Sequence, residues 1–245
     1  MTNLLLFFLI AHFLGDYTLQ PRKLVELKNE KIRYLFIHSF IYSILFFLIL
    51  FIYAEILNAL IFTVAIFIVH FIVDFLRILI GKEIEGEKKN FCLFIIDQLV
   101  HIGIIVLLFE LFYPYITKVD GDHVAEWFGI LFNSTGETAL MIILAYIFIL
   151  TPVSVFVKHF FARVFGPSEE ETGFNTGAII GKLERVLILT LGIMGLFSSI
   201  AIVLAAKSLA RFKQLEDRDF AEKYLVGTLL SMILAIIPIA IISVM

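Results

Sequence analysis

Histidine and aspartate recur four residues apart in stretches that are otherwise apolar. AHFLGDY (11–17) carries His12 and Asp16, and VHFIVDF (69–75) repeats the phrase with His70 and Asp74. DQLVH (97–101) holds the same residue types in reverse order, Asp97 and His101, and LFIHSF (35–40) adds His38. On a helix, residues four apart lie on one face, one turn from each other, close enough to share a ligand or a hydrogen bond. In hydrocarbon such groups are expensive, roughly 2.5–3.5 kcal/mol for an aspartate at mid-helix, so their presence marks a candidate site. Imidazole and carboxylate together suit zinc, iron, manganese or nickel better than magnesium or calcium alone. Inward-facing ligands at such spacings are an established way for a helix bundle to hold one or two metals. A zinc ion with three protein ligands and an open position activates water. On this reading His12, His70 and His101 are the first ligands. Asp16, Asp74 and Asp97 act as ligands or general base, and His38 as a ligand or transition-state stabiliser. Two other readings use the same residues. One is a proton or ion pathway. The other is interhelical hydrogen bonding that glues the helices, worth on the order of 0.6 kcal/mol per pair.

The elements that must position these residues are membrane helices. The chain is 61% hydrophobic, against about 45–50% for soluble domains, and its mean hydropathy is +1.01. Apolar runs of about 20 residues match the length a helix needs to cross a bilayer. The pattern predicts an all-α, multi-pass protein with seven spans, near 3–19, 33–54, 58–80, 91–113, 137–160, 184–206 and 222–244. The first run lacks a basic lead and a cleavage site and is expected to be retained. Three segments follow from the pattern: a four-helix bundle with the His/Asp site (1–113), a loop (114–136), and a three-helix region (137–245) with a charged connector at 207–221. Around Trp127 the loop fits either a short interfacial helix or a plain surface loop. The first and third spans carry their pairs near one end. The second and fourth carry His38, Asp97 and His101 near their starts, so all seven groups fall in one layer. No lysine or arginine is expected within that layer; Arg77, one turn beyond Asp74, lies at its edge. Gln20 and Gln98 lie beside it, with packing the simpler role for Gln98. The recurrence of the His–x–x–x–Asp phrase suggests two similar helical hairpins in the same orientation.

Charge sets the remaining expectations. Net charge is −3, no basic tract points to nucleic acid, and the single cysteine, Cys92, excludes an intramolecular disulfide. Of 19 lysines and arginines, 13 flank the loops after the first, third and fifth spans. The positive-inside bias then places the amino terminus outside and those loops in the cytoplasm. Lys207, Arg211, Lys213, Arg218 and Lys223 dissent, because seven spans would put them on the opposite side. Arg211, Lys213 and Arg218 fit lipid phosphates or a solvated face. Gly173, Gly177 and Gly181 recur at the spacing that lets helices approach closely, and Pro152 and Pro238 mark expected kinks.

These residues resemble a known family. AHFLGDYTLQ, LFIHSFIY, HFIVDFLR and DQLVH are similar in order and spacing to the bacterial integral-membrane family catalogued as domain of unknown function 3307. GKLERVLILTLG and the following AAKSLARFKQLEDRDFAEKYLVGTLLS resemble its extended members. The resemblance implies a multi-pass protein of the bacterial inner membrane with His12, Asp16, His38, His70, Asp74, Asp97 and His101 as the polar signature, and it implies no activity. A looser likeness to membrane-bound metal-dependent hydrolases rests on histidines and aspartates gathered at helix ends. The expected function is therefore zinc-dependent hydrolysis, with iron or manganese as alternative metals, of a lipid-like or membrane-embedded substrate. A metal or proton transporter, or a non-catalytic membrane subunit, is the alternative.

Overall fold

The computed structural model describes residues 2–83, 86–115, 134–166 and 176–244. Its regular elements, among the described residues, are helices. The first span is α1 (Thr2–Phe13), which widens into one π-helical turn at Leu14–Thr18. The chain then bends by 82° into α2 (Arg22–Glu30). Pro21 explains the bend: it offers no N–H and disfavours the helical conformation at the residue before it. Its carbonyl instead starts α2, accepting from Leu24 and Val25. The sequence of α2, RKLVELKNE, is amphipathic and rich in charge, of the kind that lies along a membrane interface. Three long helices follow: α3 (Ile32–Tyr53, 22 residues), α4 (Ile56–Glu83, 28) and α5 (Glu87–Phe112, 26). At about 1.5 Å per residue each exceeds the 30 Å hydrocarbon thickness.

Chain packing divides the molecule into two compact units, residues 1–144 and 145–245. In the first, α1, α3, α4 and α5 close a ring in which each helix touches its neighbours. One half of the ring is filled by aromatic side chains. Phe8 lies 5.3 Å from both Phe46 and Phe62 and 5.9 Å from Phe109, ring centre to ring centre. This dry plug fixes the spacing of the four helices, and the polar layer occupies the other half.

The remaining helices are α6 (Ser134–Leu150), α7 (Pro152–Phe165), α8 (Thr176–Ile193), α9 (Phe197–Ala210) and α10 (Arg218–Ser243). Pro152 opens α7 at its first position, where a missing N–H costs nothing. Pro238 sits buried inside α10, which runs on through it. By length and composition five described helices can cross a membrane, or six if the bent α1–α2 pair counts as one. The count of seven is not reached, because residues 184–206 do not form a single span. Helix α8 stops at Ile193 in a Schellman motif: Leu196 N–H bonds to Leu191 O, Gly195 N–H to Gly192 O, and Gly195 has φ +72. The chain then folds back, and Lys207 on α9 reaches Glu184 on α8 at 2.5 Å. So α8 and α9 are an antiparallel hairpin. Helix α8 packs on α10 where Gly192 faces Ile239; a Cβ there would clash with Ile239 Cδ1. Gly181 has no such approach, its nearest neighbour being Arg185 of its own helix at 3.5 Å. The expected interfacial segment at Trp127, Gly173, and most of the polar loop at 165–177 lie outside the described residues.

Candidate metal centre

The polar layer is assembled from all four helices of the ring and from α2. The π turn at Leu14–Thr18, closed by Leu19 N–H on Leu14 O at 2.7 Å, carries Asp16. Such turns insert one extra residue and recur at functional sites. Gly15 lets the turn sit flush on α3, since a Cβ there would lie 2.8 Å from Tyr42 Cδ2. From α3 comes His38, from α4 His70 and Asp74, and from α5 Asp97 and His101. All five are buried, and the Asp16 side chain is 7% exposed.

Three polar atoms converge on His38 Nε2: His70 Nε2 at 3.1 Å, Asp16 Oδ1 at 3.3 Å and Asp74 Oδ2 at 3.4 Å. Donors around a tetrahedral zinc with bonds of about 2.0–2.1 Å stand about 3.3–3.4 Å apart, so the three distances from His38 Nε2 lie near the edges of such a site. His70 Nε2 to Asp74 Oδ2 is wider, at 3.9 Å. Asp16, His38, His70 and Asp74 form one convergent group, and Asp74, Asp97 and His101 a second, each with ligand atoms within 4.8 Å of one another. Asp74 belongs to both.

His101 is the most informative member. Its Nδ1 lies 2.9 Å from the Asp97 carbonyl oxygen. A carbonyl only accepts, so Nδ1 carries a proton, and in the neutral ring Nε2 then presents a lone pair. That Nε2 has no hydrogen-bond partner and stands 3.7 Å from Asp74 Oδ1. A buried lone pair without a donor is costly unless a cation meets it. Asp97 Oδ1 likewise lacks a hydrogen-bond partner.

His12 lies at the flank, outside both groups. Its Nδ1 is 3.1 Å from Tyr42 Oη, and its ring stacks near His101 at 5.7 Å. Gln98 does more than pack: its amide nitrogen reaches Asp97 Oδ2 at 3.1 Å and Asp16 Oδ2 at 3.4 Å.

The expectation of a layer without lysine is overturned. Lys28 of α2 is buried, and its Nζ donates to Asp74 Oδ2 at 2.7 Å. Gln20 completes the contact. With its amide oriented to satisfy both neighbours, its nitrogen donates to Asp16 O at 2.8 Å and its oxygen accepts from Lys28 at 2.7 Å. Arg77 Nε lies 3.3 Å from Asp97 Oδ2, at the layer's edge as expected. With neutral imidazoles, three carboxylates face two cations, which leaves one negative charge uncancelled. Tyr42 was also missed. It is fully buried and stacks on His70 at 3.7 Å with an interplanar angle of 7°. Its only sequence signal is its place four residues after His38.

The second unit holds a separate buried set. Arg185 donates from Nε to Ile149 O at 2.8 Å, from Nη1 to Ser231 Oγ at 3.1 Å and from Nη2 to Ser154 Oγ at 2.6 Å. This binds α8 to α10 and to the break between α6 and α7. Its donors are engaged within the protein, so its role is to hold helices together.

Fold and site together define a multi-pass α-helical membrane protein with a buried His/Asp cluster capable of holding a metal ion. The chain belongs to the family described as protein of unknown function, DUF3307, whose match runs over residues 4–127 and takes in every member of the cluster. No curated protein and no solved structure matches the chain.

Proposed function

We propose that the cluster holds a divalent metal, zinc first and iron or manganese as alternatives, and that it hydrolyses a lipid-like or membrane-embedded substrate. The observation that carries the metal is the His101 Nε2 lone pair, buried and unmet beside Asp74, the carboxylate common to both ligand groups. A metal there supplies a lowered pKa for a water at an open position. The protein's own part is positional. The Asp97 carbonyl fixes the His101 tautomer, Tyr42 fixes the His70 ring plane, and Gln98 ties Asp16 to Asp97. A carboxylate of Asp16 or Asp97 left outside the ligand set is placed to accept a proton. We assign the protein to the bacterial inner membrane, with the layer in the cytoplasmic leaflet.

A second reading has its own observation. Lys28 already meets Asp74, so a single further proton on an imidazole neutralises the layer and makes it a proton relay or a structural ion-pair network. Elemental analysis of detergent-purified protein beside His70→Ala and Asp97→Ala separates the two. One or two metals per chain, lost in both variants, supports the metal centre. No metal in the wild type, even after reconstitution with zinc, iron or manganese, gives the layer to the second reading.

A further inference from the structure

We infer that the recess between α2, the start of α3 and the basic end of α4 binds the anionic headgroup of a lipid. Its walls divide by chemistry. Lys28, Lys31 and Lys82, with Glu30 the one acid, make the recess net positive, and Ile32, Leu35, Phe75, Ile78 and Leu79 make the rest apolar. The enclosed space is about 130 Å³, smaller than a whole drug-sized site of roughly 300–1,000 Å³, so it has room for a headgroup while the acyl chains stay outside. A soluble phosphate has use for the lysines alone. An amphiphile uses both parts, and the rim residues Ile32 and Leu79, 62% and 44% exposed, continue the apolar surface toward acyl chains. Basic side chains at the end of a membrane helix are suited to anionic headgroups, their stems lying along apolar surface.

The recess adjoins the His/Asp cluster. Leu35 lies three residues before His38 and Ile78 four residues after Asp74, so its floor stands about one helical turn, 5 Å, from the layer. Lys28 belongs to both, lining the recess while its Nζ rests on Asp74. The inference depends on the hydrolase reading only for calling the lipid a substrate; the binding itself does not need a metal.

The test uses full-length protein in detergent, stripped of metal by a chelator. It is offered phosphatidylglycerol or phosphatidylcholine, and lipid retained per chain is counted by native mass spectrometry. One phosphatidylglycerol is retained in preference to phosphatidylcholine. Lys31→Gln with Lys82→Gln, both exposed, weakens retention by about thirtyfold. Leu79→Trp narrows the rim without touching a charge and also lowers it. The pair Lys213→Gln and Arg218→Gln, on the connector and at the first residue of α10, leaves it unchanged. Equal retention by the Lys31/Lys82 variant, or equal loss in the connector variant, overturns the inference. Displacement by inorganic phosphate at matching concentration assigns the recess to a soluble anion and overturns it as well. Because the protein is metal-free throughout, a failed metal analysis and a failed lipid assay remain separate results.

Discussion

Asp74 ties the site together because its two oxygens face different partners. Oδ2 meets Lys28 at 2.7 Å and His38 at 3.4 Å, while Oδ1 faces His101 at 3.7 Å. Asp74→Asn should therefore empty both ligand groups in elemental analysis. His12→Ala should keep a stoichiometric metal with affinity weakened about 10–100-fold, as for a group that only supports ligands; complete loss would make His12 a ligand. Lys28→Met removes one partner of a buried ion pair, which costs about 3–5 kcal/mol. Thermal unfolding in detergent should fall accordingly in metal-free protein, and zinc should restore much of the loss by replacing the missing cation. Restoration by no metal would favour the proton-relay reading. The His/Asp pairs were legible in the sequence because an ionisable residue inside an apolar helix stands out. Lys28 was not, since nothing local separates it from Lys23 or Lys31. Tyr42 was not, since a tyrosine among apolar residues is ordinary.

Close approach between helices rests on a few glycines. Gly15→Ala pushes a Cβ to 2.8 Å from the Tyr42 ring, and through Tyr42 onto the His70 stack. Overpacking of this kind costs about 1–3 kcal/mol, and metal affinity should fall with it. At the α8–α10 contact, Gly192→Ala should destabilise by a similar amount, and adding Ile239→Ala should recover part of it by opening room. A double variant no more stable than Gly192→Ala alone would show that the clash is relieved elsewhere. The Gly173–Gly177–Gly181 stripe drew attention by its regular spacing. Spacing tells which face a glycine occupies but not whether another helix lies there. The break at Gly195 escaped for a related reason: hydropathy averaged over a span blurs a stop only two or three residues long.

The fold-back of α9 on α8 changes the path of the whole chain. An antiparallel hairpin returns the connector at 207–217 to the side from which α8 starts. If α8 starts in the cytoplasm, as the loop charges predict, the five dissenting cations of 207–223 fall on the cytoplasmic side as well. That topology would remove the conflict with the positive-inside bias that seven spans create. In intact, sided membranes, with Cys92→Ser to remove the exposed native thiol, cysteines at Lys31→Cys and Lys213→Cys should react with an impermeant maleimide from the same side. Labelling from opposite sides would require a single crossing between 184 and 206.

The sequence by itself determined that the protein is all-helical and membrane-spanning, roughly where the long spans run, and which histidines and aspartates are out of place in hydrocarbon. These properties are local and additive along the chain, so residue type and period suffice. Tertiary structure alone decided which polar groups meet. It bent α2 through 82° to bring Lys28 onto Asp74, opened a π turn that aims Asp16 at His38, and doubled α8 back into α9. Each of these joins residues far apart in sequence through packing, and packing depends on what the rest of the chain places opposite.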